Sequence, residues 1–94
     1  MRKSLITDDF EKCYLCGGRK ECIHHVFEGN GRRMLSERYG LIVSLCHRCH
    51  NMSSWAVHFN KPLDLKLKQI AQDKFERNGG TREQFIKIFG RNYL

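Results

Sequence analysis

Two Cys-x-x-Cys knuckles set the strongest limit on what this chain can fold into. Cys13 and Cys16 form the first and Cys46 and Cys49 the second, with 29 residues between Cys16 and Cys46. Four cysteines so spaced match a tetrahedral four-thiolate zinc site. Sulfur fills every coordination position of such an ion, so its role is structural, and it draws the two ends of the intervening segment together. A chain of 94 residues buries only a modest core, which a metal staple helps to stabilise. The other use of paired cysteines, a disulfide framework, belongs to secreted proteins. Met1 to Phe10 lacks the apolar stretch of a secretory signal, and the sequence holds no run of 18 apolar residues. A cytoplasmic protein that does not enter membranes is therefore expected. The fifth cysteine, Cys22, reads as a small buried strand residue outside the ligand set.

The segment between the knuckles contains two short apolar runs. Cys22 to Phe27 and Leu41 to Leu45 are rich in β-branched and aromatic residues and read as strands, set antiparallel by closure of the zinc site. Glu28 to Gly40 connects them and is too long for a tight hairpin. With Gly29, Gly31 and Gly40 among Arg32, Arg33 and Arg38, it reads as a basic surface loop anchored by Met34, Leu35 and Tyr39. After Cys49 a short helix is expected near His50, with a break around Ser53-Ser54, and Trp55 reads as a cap on the core in preference to a base-stacking residue. Pro62 suits the first turn of a helix running to about Arg77, with Leu63, Leu67, Ile70, Ala71 and Phe75 as its apolar stripe. Asn78-Gly79-Gly80 ends it. Thr81 and Gln84 then form a capping-box signature for a last helix, Arg82 to Phe89, with Phe85, Ile86 and Phe89 turned inward. The whole reads as one small α+β domain, residues 1–94.

Histidines flank both knuckles. His24 and His25 follow the first, and His50 and His58 follow the second, so zinc closure brings two imidazole-bearing segments together. His47 is expected to point out of its knuckle. The formal charge is +7, from 17 Lys and Arg against 10 Asp and Glu. Four zinc-bound thiolates lower it by about two. A basic surface on a small domain suits a polyanionic partner, most simply nucleic acid.

Cys-x-x-Cys-Gly, then His24-His25-Val26, then Leu45-Cys46-x-x-Cys49-His50 resembles the HNH endonucleases of ββα-metal architecture. The likeness is greatest to small phage and prophage HNH-like proteins, Ref-type recombination nucleases among them. It covers about residues 13–58, leaving 62–94 as a helical extension. The resemblance implies that His24 and His50 bind a catalytic divalent cation and that His25 is the general base activating water. His58 is similar to a further ligand found in some branches. The implied activity is cleavage or nicking of DNA, with 3′-oxygen departure. Mg²⁺, Mn²⁺, Ni²⁺ or Zn²⁺ is the candidate cation, and Arg32, Arg33 and Arg38 are candidate DNA contacts, with Lys61 and Arg48 secondary.

Two departures from the family pattern matter. The Asn that orients the base should fall near Leu41, and none is there; Ser44 or a backbone carbonyl is the expected substitute. His50 and His58 are eight residues apart, about 12 Å along a continuous helix, so the helix must break for both to hold one ion. A different class of function remains open to the same sequence: a non-catalytic zinc module that binds nucleic acid or a protein.

Overall fold

The computed structural model describes residues 3–29, 31–52 and 56–94. Strands β1 (Cys22–His25) and β2 (Ile42–Leu45) pair antiparallel, with Cys22 opposite Leu45 and His25 opposite Ile42. Both are shorter than their apolar runs suggest. One more backbone bond, from Val26 N–H to the Leu41 carbonyl at 3.1 Å, closes the ladder. Beyond it Phe27 turns into the core.

The connection between the strands corrects the sequence reading. Where a surface loop is expected, the chain forms helix α1, Arg32–Tyr39, bracketed by Gly31 and Gly40 at φ 84° and 71°. Those left-handed positions are ones glycine adopts without a steric penalty. A serine docks the helix. Ser36 is fully buried; its Oγ accepts from Phe27 N–H at 3.0 Å and donates to the Phe27 carbonyl at 2.7 Å. Both backbone groups of Phe27 are thereby satisfied where the strand has ended. Met34, an expected anchor, is 78% exposed, whereas Leu35 and Tyr39 do pack on the core.

Helix α2 is a single turn, His47–His50. It ends at His50, where the sequence suggested a start, because the extended residue Cys46 caps it and the Cys46 carbonyl accepts His50 N–H at 3.0 Å. The predicted break at Ser53-Ser54 and the site of Trp55 lie outside the described residues. A 3-10 turn over Val57–Phe59 leads into α3, Lys61–Arg77. The Asn60 side chain caps α3 by accepting from Leu63 N–H at 3.2 Å, and Pro62 sits in the first turn.

Leu67, Ala71 and Phe75 line the buried face of α3 at four-residue spacing. The reciprocal Thr81–Gln84 bonds, 3.1 and 3.0 Å, open α4, Arg82–Phe89. Phe85 and Phe89 turn inward, but Ile86 is 39% exposed. One residue is about 100° of helix, enough to carry Ile86 off the narrow buried stripe. Phe27 meets Phe85, Phe89 and Tyr93 at ring-centroid distances of 5.4, 4.6 and 5.3 Å. Buried Gln72 fixes the C-terminal tail, accepting from Tyr93 N–H at 2.7 Å and donating to Asn92 Oδ1 at 2.8 Å. The helical extension thus clamps the residue two positions beyond His25. Among the described residues the architecture is α+β, with a two-stranded sheet and four α-helices, and no helix is long and apolar enough to cross a membrane.

Candidate functional site

The four knuckle cysteines converge. The Sγ atoms of Cys13, Cys16, Cys46 and Cys49 all lie within 4.8 Å of one another. Cys16 Sγ and Cys46 Sγ are 3.7 Å apart, against about 3.8 Å for the edge of a tetrahedron with zinc–sulfur bonds of about 2.3 Å. Gly17 at φ 75° and the Cys13 N–H bond to the Gly18 carbonyl, 2.8 Å, shape the first knuckle. The thiols are electrostatically at odds. Burial works to raise Cys13, but backbone N–H groups of Cys16, Cys46 and Leu15 prevail and bring it down to about 7. Burial and the neighbouring sulfurs push Cys49 the opposite way. A cation amid the sulfurs removes that conflict, so the residues fit a structural metal ion such as zinc. Cys22 stands apart, its thiol 3.4 Å from the Leu45 carbonyl.

The histidines form a second cluster. His24 on β1, His50 at the end of α2 and His58 on the 3-10 turn bring ring nitrogens within 4.8 Å of one another. His50 Nε2 and His58 Nε2 are 2.9 Å apart, against about 3.0 Å for adjacent ligands of an octahedron and about 3.4 Å for those of a tetrahedron at bond lengths of about 2.1 Å. The eight-residue gap is no obstacle because α2 stops at His50 and His58 sits on a separate 3-10 turn. His24 is 1% exposed, and neither of its ring nitrogens has a hydrogen-bond partner. Buried polar atoms are rarely left so. Burial, reinforced by His50 and His58, holds His24 down at about 3, and burial likewise lowers His50. Both rings therefore present neutral lone pairs, the form that binds metal.

His25 faces a different task. It lines an open cleft of about 320 Å³ together with Glu28, Arg33, His50, Asn51 and His58. Its Nε2 is 2.6 Å from Glu37 Oε2 on α1. Ser44 does not orient it: Ser44 Oγ donates to the Lys12 carbonyl at 2.6 Å, and Ser44 stands opposite Ile23 in the sheet. Glu28 reaches from the other wall, with Oε1 3.4 Å from His58 Nδ1 and Oε2 3.8 Å from Arg33 Nη2. Neither glutamate stands out in the sequence. Glu37 is hidden because the apolar stripe of α1 is only Leu35 and Tyr39, too short to announce a helix, and Glu28 is simply the first residue after the Phe27 core anchor.

The three loop arginines diverge. Arg33 lines the histidine cleft, Arg38 borders a hollow with Gly31, Met34 and Leu35, and the Arg32 guanidinium lies by Gly90 at the end of α4. Lys61 borders a smaller hollow on the far side of His58 with Lys68 and Asp64. Arg48 is exposed on α2, and His47 is exposed beside Glu21, 3.8 Å away. A larger cleft of about 580 Å³, lined by Leu5, Tyr39, Phe75 and Ile88 among others, contains no cysteine or histidine. No protein-family model matches the chain, and no curated protein or solved structure does either.

Proposed function

We propose that this protein is a metal-dependent DNA endonuclease or nickase with an HNH-type ββα-metal core. The observation that carries the reading is the meeting of His24, His50 and His58 within one coordination radius beside a cleft that also exposes His25. His24, His50 and His58 would hold the divalent cation, which when bound supplies Lewis-acid stabilisation of the charge on the scissile phosphate. Three imidazoles suit Zn²⁺, Ni²⁺ or Mn²⁺ better than Mg²⁺, which prefers oxygen and water. His25 acts as general base, since a neutral imidazole suits that role at cellular pH. It takes a proton from water as the water oxygen bonds to phosphorus. The bond from phosphorus to the 3′-oxygen breaks, the departing oxygen takes a proton from solvent, and a 5′-phosphate remains. Arg33 offers the phosphate contact nearest the cleft, and the +7 charge supplies general attraction to DNA. The four-thiolate site maintains the fold in a reducing cytoplasm.

Incubation of supercoiled plasmid with Mn²⁺, Ni²⁺ or Mg²⁺ should yield nicked circles, and His25→Ala should abolish them with the melting curve unchanged. Metal counting should give two ions per chain, falling to one in His24→Ala. A single ion per wild-type chain and no nicking under any cation would instead leave a non-catalytic zinc module.

A further inference from the structure

We infer that Glu37 is the positioning residue for His25, standing in for the Asn that the sequence lacks; this rests on the endonuclease reading above. The contact at 2.6 Å is among the shortest side-chain bonds in the molecule, and it joins residues 12 apart in sequence. Glu37 is aimed from a fixed support. Its neighbour Ser36 is buried and bonded to both backbone groups of Phe27, and Phe27 is two residues from His25. Strand and helix are thus pinned to each other beside the pair. A carboxylate accepts hydrogen bonds, so this contact selects the His25 tautomer with its proton on Nε2, donated to Glu37. That leaves Nδ1 as the nitrogen with a lone pair, the atom that receives the proton from water. The ring is then fixed in both rotation and tautomer, as a carboxylate fixes the histidine of a hydrolytic triad. Sequence reasoning put this task on Ser44 or a backbone carbonyl, but the Ser44 hydroxyl is engaged with the Lys12 carbonyl.

The test uses the full chain with zinc in its cysteine site. Two-bond ¹H–¹⁵N correlation spectra, recorded without added divalent cation, read the His25 tautomer directly. Wild type should show a single Nε2–H form, and Glu37→Ala a mixture. In plasmid nicking, Glu37→Ala should lower kcat by roughly 100-fold or more, with KM and cation affinity within about twofold. Glu37→Gln, whose amide oxygen can accept the same bond, should recover to within about tenfold of wild type. A wild-type His25 protonated on Nδ1, or nicking by Glu37→Ala within about threefold of wild type while His25→Ala is dead, overturns the positioning role alone. Undiminished nicking by His25→Ala overturns the endonuclease reading as well.

Discussion

Replacing His24 with leucine should make the protein more stable and, at the same time, unable to take up its second cation. The ring is 1% exposed and both its nitrogens lack partners. A buried polar group left unsatisfied costs about 1–3 kcal/mol, and a leucine buried there gains about 1.5–3 kcal/mol of apolar transfer. Imperfect shape takes back about 1–2 kcal/mol. A net stabilisation of about 0.5–5 kcal/mol follows, worth about 4–8 °C in Tm for each kcal/mol in a domain of this size. The difference should widen in acid. Burial holds His24 near 3 in the folded chain against an ordinary 6.5, so the unfolded chain binds the extra proton first. The stability tied to its neutral ring is whole above about pH 6.5 and drains away towards pH 3, by at most about 1.4 kcal/mol per pH unit. Leucine has no such loss, while His50, lowered in the same direction, is present in both proteins. The assay is urea unfolding of zinc-loaded protein freed of other cations, at several pH values and then with Ni²⁺ added. Wild type should gain about 2.7 kcal/mol when Ni²⁺ reaches a hundred times its Kd, and the variant nothing. A His24→Leu protein destabilised by about 2 kcal/mol or more would show that the ring nitrogens are satisfied after all, and the case for a coordinating cluster would fail.

Cys46→Ser should release zinc and abolish cooperative thermal unfolding, because ion binding supplies folding energy; an unchanged calorimetric transition would remove zinc from that role. Arg33→Ala should weaken DNA binding and flatten the logarithmic salt dependence by about one ion, whereas Arg38→Ala, bordering a separate hollow, should stay within about twofold in fluorescence anisotropy. Equal effects of the two would detach DNA binding from the cleft. Ser36→Ala strands the Phe27 N–H and carbonyl and should cost about 1–3 kcal/mol in denaturant unfolding; a loss below about 0.5 kcal/mol would mean α1 is held by other contacts.

What could be read from the residues is what repeats or caps. The stripe Leu67, Ala71, Phe75 and the Thr81–Gln84 box announce α3 and α4 by period and spacing, and both helices lie where those signals place them. The Cys-x-x-Cys pairs announce a sulfur cluster without any knowledge of the fold. Helix α1 was illegible for a physical reason. Its one fully buried residue is Ser36, docked by a pair of hydrogen bonds to Phe27, and its apolar contacts, Leu35 and Tyr39, make too short a stripe to announce a helix. Glu37 was lost with the helix that presents it. His58 could be suspected as a ligand, but its approach to His50 depends on α2 stopping at His50, an end that no residue type marks in the sequence.

A common feature of these less legible elements also explains how the cleft is held. α2 is one turn long, and helices so short are not stable on their own. Its shape comes from Cys46 and Cys49, and His50 is the next residue after Cys49. An ion held by Cys49 would therefore set the position of His50, while α1 gains its fixity from Ser36 and sets Glu37 against His25. The chemical side chains around the cleft stand on short elements, β1, α1, α2 and the 3-10 turn, and the apolar core against α3 and α4 supports the frame. Loss of zinc should then disperse the histidine cluster before the Phe27–Phe85–Phe89 core opens, since those rings are held by contacts with one another that involve no cysteine. In amide hydrogen exchange after chelation, His47–His50 should lose protection first and Leu67–Phe75 last. Simultaneous loss in both segments would mean that the sulfur site and the aromatic core form one cooperative unit.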